Sequence, residues 1–428
     1  MKPRQSIVFL ILAMSANGLS YVYQLTMARL LTPREYAVVL AIVSFIAIIL
    51  FPSNSYQAAV AVGTGHLTAG GRLGRAWPFA MRAAVLGGGA ATLLAVLFAV
   101  FAGQIRYVFG FSENWVLAWL AVTFCLSLVL SSFRGAFQGS HRFTALGAVM
   151  LLEASARVVL AVLLVLFGFG VSGATAGFAF GFVGSTLLAA WLLFPKERPQ
   201  GQISESLWST LRVQLRSVPA TFAIFGVQAI DVVIANFRLT SDGMEPYSAA
   251  ALAGRVIFYA GFVLSLLILP RFRDMFASGR FRWGLVWKSS AVMAVIALPA
   301  VAAGYAVPGV IHFLLVGPKY SPNAEVMQVY LLGTALLTTG LFLTYLLISA
   351  GWHWIWLGTV PAAAAQTAAY LLWAHTPMEF ARTLLISASV IATFLAVATA
   401  LLIVRRARGA RPEAREQIEA EAEAGLRI

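Results

Sequence analysis

The chain reads as an all-α polytopic membrane protein, with about twelve transmembrane helices in two pseudo-symmetric six-helix bundles. Three observations carry this reading. The first is composition: 60% of residues are hydrophobic, only 11% are charged, and the mean hydropathy is +0.85. So little charge cannot cover so much apolar surface in water. The second is segmentation into apolar runs of about 20 residues, the length that crosses a bilayer as a helix. The third is a near-repetition half a chain apart. Leu31-Thr-Pro-Arg-Glu-Tyr36 follows one long apolar run and opens another, which reaches Pro52. Leu239-Thr-Ser-Asp-Gly-Met-Glu-Pro-Tyr247 does the same ahead of Pro270. A repeated helix–loop–helix in a membrane chain predicts two related halves.

The apolar runs place spans at 6–29, 36–63, 78–102, 114–134, 143–168 and 171–194, then at 217–237, 247–270, 286–308, 325–350, 354–374 and 379–404. The first follows Lys2 and Arg4 but lacks a small-residue cleavage site after a short apolar core, so it reads as a span rather than a signal peptide. Pro52 is expected to break or kink the second span, with Asn54 and Gln57 able to satisfy freed backbone groups. The domains expected are an N-terminal bundle over 1–194, a linker over 195–216, a C-terminal bundle over 217–404 and a tail over 405–428. The linker carries Pro195, Pro199 and Gly201, and its Leu207, Leu211, Val213 and Leu215, with Arg212 and Arg216, fit a short surface helix. The tail is basic and then acidic, and reads as a solvated helix or disorder.

Charge sets the orientation. Most of the 30 Lys and Arg fall at the N-terminus, in the loops near 64–77, 134–142, 195–216 and 271–285 with their flanks, and in the tail. The opposite side holds Arg34, Arg106, Arg238, Lys319 and Arg382. Both termini are therefore expected on the cytoplasmic side. The net charge of +14 reads as this orientation signal, and no nucleic-acid partner is expected.

Charges within apolar spans are the candidates for chemistry, because each costs roughly 2.5–3.5 kcal/mol at the bilayer centre on insertion scales. Asp231 lies inside the seventh span, on one face with Gln228 at i, i+3. It reads either as a packing hydrogen-bonder or as a carrier of H+ or Na+. Arg255 lies roughly 12 Å beyond Tyr247 along the eighth span. It either snorkels to the surface or holds an anion, since guanidinium pairs bidentately with phosphate oxygens. Arg29 ends the first span, where snorkelling is easy. Asn17, Tyr21, Gln24 and Ala28 share one face of that span, a polar stripe suited to a cavity wall or to a hydrogen-bonded seam. Glu153 and Arg157, four residues apart, read as a self-neutralising structural pair. Gln366 and His312 read as isolated structural residues.

Catalytic and metal signatures are missing. The five histidines (66, 141, 312, 353 and 375) are scattered, and no Ser/His/Asp set or Gly-rich loop before a lysine is present. No enzyme activity, metal or cofactor is expected beyond a coupling cation. A single cysteine, Cys125, precludes an intramolecular disulfide.

Gln24-Leu-Thr-Met-Ala-Arg-Leu-Leu-Thr-Pro-Arg-Glu-Tyr36 resembles the first hairpin of the Wzx-like polysaccharide flippases, a branch of the multidrug/oligosaccharidyl-lipid/polysaccharide (MOP) exporter superfamily. Ile230-Asp-Val-Val-Ile-Ala235, Tyr247-Ser-Ala-Ala-Ala251 and Leu269-Pro-Arg-Phe272 resemble that family's seventh and eighth helices. One departure is Ala37, where the family commonly has glycine beside the hairpin tyrosine. The resemblance implies a V-shaped pair of bundles around a cationic cavity, in the bacterial inner membrane. It implies a cargo too: an undecaprenyl-pyrophosphate-linked oligosaccharide moved from the inner to the outer leaflet, with polymerase and glycosyltransferases as partners. Only Asp231 and the hairpin residues match family motifs; Arg29, Arg255, Asn17 and Gln24 come from burial cost and residue type. Four rivals stay open: a multidrug antiporter of the same superfamily, a lipid II flippase (which usually carries two more helices), a membrane-embedded glycosyltransferase or polymerase, and a non-transporting assembly scaffold.

Overall fold

The computed structural model describes residues 3–69, 76–111, 113–194, 208, 212, 218–278 and 282–425. All its regular structure there is helical. The first half runs α1 (Pro3–Leu30), α2 (Pro33–Ala69), α3 (Ala76–Val100), a short α4 (Ala102–Phe109), α5 (Asn114–Gly139), α6 (Phe143–Leu164) and α7 (Gly170–Leu193). The second runs α8 (Val218–Arg238), α9 (Ser241–Ala277), α10 (Trp283–Ala306), a short α11 (Pro308–Val316), α12 (Ala324–Ser349), α13 (Trp356–Leu372) and α14 (Pro377–Gly425). Among the described residues, ten stretches are long and apolar enough to cross a bilayer, and one of them, Phe143–Leu193, contains both α6 and α7. With the 28-residue α1, the twelve expected spans are accounted for.

The two halves share one packing plan. In the first, α5 contacts α2, α3 and α7, and α6 contacts α1 and α7. In the second, α12 contacts α9, α10 and α14, and α13 contacts α8 and α14. The correspondence includes the short helices: α4 follows the third span of one half and α11 the third span of the other. Neither short helix was expected; each was read as the end of a span or as loop. The expected linker falls outside the described residues, Trp208 and Arg212 excepted, and the tail continues α14 as helix to Gly425.

The hairpin motif has a local cause. Thr32 and Glu35 form a capping box: Thr32 N and Oγ1 donate to Glu35 Oε2 at 3.0 and 2.8 Å, and Glu35 N donates to Thr32 Oγ1 at 3.3 Å. Pro33 occupies the first helical position, where its missing N–H costs nothing. Thr376-Pro-Met-Glu379 starts α14 with the two backbone N–H bonds of the same box. In the second hairpin Thr240 alone caps α9, accepting from Gly243 N. Both α2 and α9 continue through their prolines, to Ala69 and Ala277, so neither Pro52 nor Pro270 ends its helix.

Small residues let the helices approach, as is usual inside a bilayer. A Cβ on Gly139 of α5 would lie 2.3 Å from Ala61 O of α2, and one on Gly135 would lie 2.5 Å from Gln57 O. Both obstacles are backbone, which cannot rotate away. Gly139→Leu is therefore expected to destabilise the first half by about 1–3 kcal/mol, seen as a lower unfolding midpoint in detergent.

Candidate functional site

Helix α9 carries Arg255 to the boundary between the halves. The side chain is 4% exposed. Its Nη1 donates to Gln24 Oε1 on α1 at 2.8 Å, and its Nη2 donates to Ser44 Oγ and, at 3.5 Å, to Leu40 O on α2. All three acceptors belong to the other half and all are neutral. Among the described residues no carboxylate comes within ion-pair distance of this guanidinium. The sequence brought Gln24 and Arg255 forward separately, and the fold joins them. It gave no warning of Ser44, a lone hydroxyl in an apolar run, which also donates to Leu40 O at 2.7 Å.

Asp231 is fully buried inside the second half. Its Oδ2 accepts from Tyr247 Oη of α9 at 2.8 Å and from Tyr330 Oη of α12 at 2.7 Å. Gln228 Nε2 reaches Tyr330 Oη at 3.4 Å, so the i, i+3 face holds together through that tyrosine. Oδ1 has no hydrogen-bond partner. A Cβ on Gly254 would sit 2.5 Å from the Tyr330 ring, so the missing side chain lets α12 deliver its hydroxyl to the carboxylate. Gln366 is not isolated: its Nε2 donates to Val227 O and Tyr370 Oη, each at 3.0 Å, and its Oε1 accepts from Ser387 Oγ at 2.6 Å. These bonds tie α13 and α14 to α8.

The expected Glu153–Arg157 pair is part of a triad. Glu153 Oε2 accepts from Arg134 Nη2 of α5, while Arg157 Nη1 stands 3.8 Å from Oε1. Arg157 reaches instead to Ser20 Oγ of α1 at 2.6 Å, with its guanidinium 4.7 Å from the Phe178 ring centroid. Arg134 had been counted among the charges beside the loops, where no partner was sought. The triad sits between α1, α5, α6 and α7 and anchors α1.

Arg29 is exposed at the end of α1 and donates to Leu314 O of α11 at 2.9 Å. Asn17 is exposed two turns before Gln24. The structure therefore brings Arg255 and Gln24 together, keeps Asp231 in a separate cluster, and sets Arg29 at one end of the interface.

Among the described residues, the side-chain contacts across that interface cluster towards the hairpin end. Between the halves, Asn236 Nδ2 of α8 donates to Phe109 O of α4 at 3.0 Å, Tyr107 meets Phe237, and Tyr36 meets Tyr320. The deepest of the aromatic contacts is Phe51 against Phe222 and Phe225. Phe51 lies about 27 Å along α2 from Pro33. These contacts, with those of Arg255 and Arg29, lie between the hairpin end and that depth. Past Phe51, towards the termini, α2 exposes Asn54, Val62 and His66, and α9 exposes Leu267, Arg271 and Arg273.

No protein-family model matches this sequence, and no curated protein matches it. Solved structures do. The chain is similar to an inward-facing multidrug resistance MATE family transporter of the MOP superfamily, with a TM-score of 0.72, 15% identity and coverage of 94% of this chain and 98% of that one. An outward-facing structure of such a transporter aligns at 0.63, with 15% identity over 94% and 96%. A MOP superfamily transporter from Pyrococcus furiosus, described as having a binding pocket of reverse polarity that suggests a different function, aligns at 0.54, with 14% identity over 94% and 95%.

Tyr247→Phe and Tyr330→Phe each remove one bond to a buried carboxylate, with an expected loss of about 1–3 kcal/mol apiece. Because both hydroxyls serve one oxygen, a double-mutant cycle read by thermal unfolding is expected to be non-additive. The fold in which these clusters sit is that of the MATE transporters of the MOP superfamily.

Proposed function

We propose that the protein is a flippase that moves a lipid-linked oligosaccharide, a polysaccharide unit on undecaprenyl pyrophosphate, from the inner to the outer leaflet by alternating access. One observation carries the reading: Arg255 is a buried cation between the halves whose partners are all neutral. A buried guanidinium favours an anionic partner, and a pyrophosphate offers oxygens in the geometry its fork prefers. Arg255 takes the anion, with Gln24 and Asn17 offering amides to the sugars and Arg29 a second cation. The lipid tail stays in the bilayer between the two bundles. Those bundles span 1–194 and 217–404, joined by 195–216 and followed by the tail. Both termini lie in the cytoplasm of a bacterial cell, so the hairpin end faces outward. Closure at the hairpin end and the higher similarity to the inward-facing transporter support an inward-facing state for this structure.

Asp231 couples the cycle. Its second carboxylate oxygen, buried without a donor, supports uptake of H+ or Na+ there. The flanking polymerase and glycosyltransferases of a polysaccharide pathway are the expected partners.

A multidrug antiporter of the same fold is the second reading. It is supported by the neighbours themselves, two of which are described as multidrug resistance transporters. An antiporter for cationic drugs calls for acid at the boundary, and Arg255 occupies that place.

The test is translocation in proteoliposomes containing a fluorescent lipid-pyrophosphate oligosaccharide, scored by leaflet accessibility. Wild type is expected to translocate, Arg255→Lys to be impaired, and Arg255→Gln to lose at least about tenfold, with unfolding midpoints kept. Asp231→Asn is expected to abolish dependence on the cation gradient. A folded wild type that moves no such lipid but exchanges cationic drugs for protons or sodium would replace this reading with the antiporter.

A further inference from the structure

Helices α1 and α11 end at the same place, from opposite halves. Every α-helix leaves its last carbonyls without intrahelical donors, and these carry the negative end of the helix dipole. In α1, Met27 O is satisfied by Leu31 N; two of the three carbonyls after it are Ala28 O and Arg29 O. Both are taken by the second half: Tyr320 Oη donates to Ala28 O at 2.9 Å and Lys319 Nζ to Arg29 O at 2.8 Å. In α11, Phe313 O is satisfied by Gly317 N, and Leu314 O accepts from Arg29 Nη2 at 2.9 Å. Each half thus caps the other's helix with a cation.

The strap that makes this possible is built for it. Gly317 has φ +83°, a left-handed conformation that ends α11 and turns the chain back towards α1. Ser321 N donates to Glu245 Oε2 of α9 at 3.1 Å, and Tyr320 O bonds His312 Nε2 at 3.0 Å. Burial pushes the His312 imidazole below its ordinary pKa, so it stays neutral at neutral pH and Nε2–H is the donor. The Tyr320 ring packs edge-on to Tyr36, with centroids 6.0 Å apart, beside the capping box of α2.

We propose that residues 317–321 are a gating strap, and that the reciprocal capping by Lys319, Tyr320 and Arg29 is the latch that holds the hairpin end shut. The inference deepens the alternating-access reading and rests on it, but it is independent of the cargo. The bonding suits a reversible latch. Lys319, Arg29 and the carbonyls of Arg29 and Leu314 belong to exposed residues that water serves well when the latch opens, while the Tyr320–Ala28 bond is buried.

The test measures distances and uses no substrate. In a Cys125→Ser background, spin labels at Arg34→Cys and Ser241→Cys report the hairpin ends of α2 and α9. Labels at His66→Cys and Ser278→Cys report their other ends. All four positions are exposed. Combining Lys319→Ala with Tyr320→Phe, which keeps the ring against Tyr36, is expected to raise the hairpin-open population about tenfold. The hairpin pair should lengthen while the opposite pair shortens, and Lys319→Arg, which still donates, should keep the wild-type distances. Unchanged distances in the folded double variant would overturn the proposal. So would both pairs broadening together, which reports a loosened bundle rather than a gate. Opening without lipid translocation by the wild type would keep the latch and discard the cargo.

Discussion

A guanidinium shared between two bodies constrains this molecule more than any other contact. The Arg255 guanidinium carries only N–H donors and is buried, so its donors must find acceptors wherever the halves move. In the present arrangement α1 and α2 supply three neutral ones. Separating the halves at the hairpin end removes all three at once. Separation is therefore tied to whatever replaces them, either water admitted to the boundary or an anion brought in. A ligand that satisfies Arg255 in the open arrangement and finds it occupied in the closed one has different affinities for the two. Differential affinity is the only way a ligand moves such an equilibrium.

The halves share a packing plan but not a charge. The first half-buries two arginines around one glutamate, and the surplus cation leans on a serine and a phenylalanine ring. The second buries an aspartate held by two tyrosines. Each cluster fixes a helix that also lines the boundary: Arg157 pins α1 at Ser20, one turn from Gln24, and Tyr247 with Tyr330 pins α8 between α9 and α12. The shared scaffold gives both halves the same set of helix neighbours. The unlike polar interiors set the position of the helices through which the halves meet.

Much of this was legible in the sequence because bilayer physics leaves few choices. Apolar length fixed the spans to within a few residues, except where α2, α9 and α14 extend past the apolar run. The extensions follow from helix continuing through Pro52 and Pro270 and into polar sequence, which hydropathy does not register. The repeated hairpin was visible because Thr32-Pro-Arg-Glu35 is a helix-start signal, and its recurrence at Thr376 shows that the signal is mechanical. Asp231 and Arg255 stood out by the cost of charge in lipid. Their partners did not. Tyr330 and Ser44 are unremarkable in an apolar run, Tyr247 stands out only as part of the repeated hairpin, and all three become partners only when their helices pack together. Arg134 was hidden by position, since an arginine near a loop invites an orientation argument and ends the search. The short helices α4 and α11 were missed because each is too brief to span and follows directly on the end of a span.

The bonds across the boundary change character with depth. At the hairpin end they are a buried carbonyl, Ala28 O, under Tyr320, and the carbonyls of Arg29 and Leu314 with Lys319 and Arg29, whose residues are exposed. One or two turns further in they are Tyr36 against Tyr320 and then the Arg255 cluster, which is buried. Deepest are Phe51, Phe222 and Phe225, with no polar partner among their side chains. Groups that rehydrate readily cost little to separate, whereas a buried guanidinium separates cheaply only once water or an anion has reached it. Opening at the hairpin end therefore has a preferred order, with the capped helix ends parting before the arginine. From the other side, the aromatic layer stands between the exposed ends of α2 and α9 and Arg255. In the proposed cycle, a headgroup arriving from that side meets the apolar seam of Phe51 and Phe225 before it meets the cation.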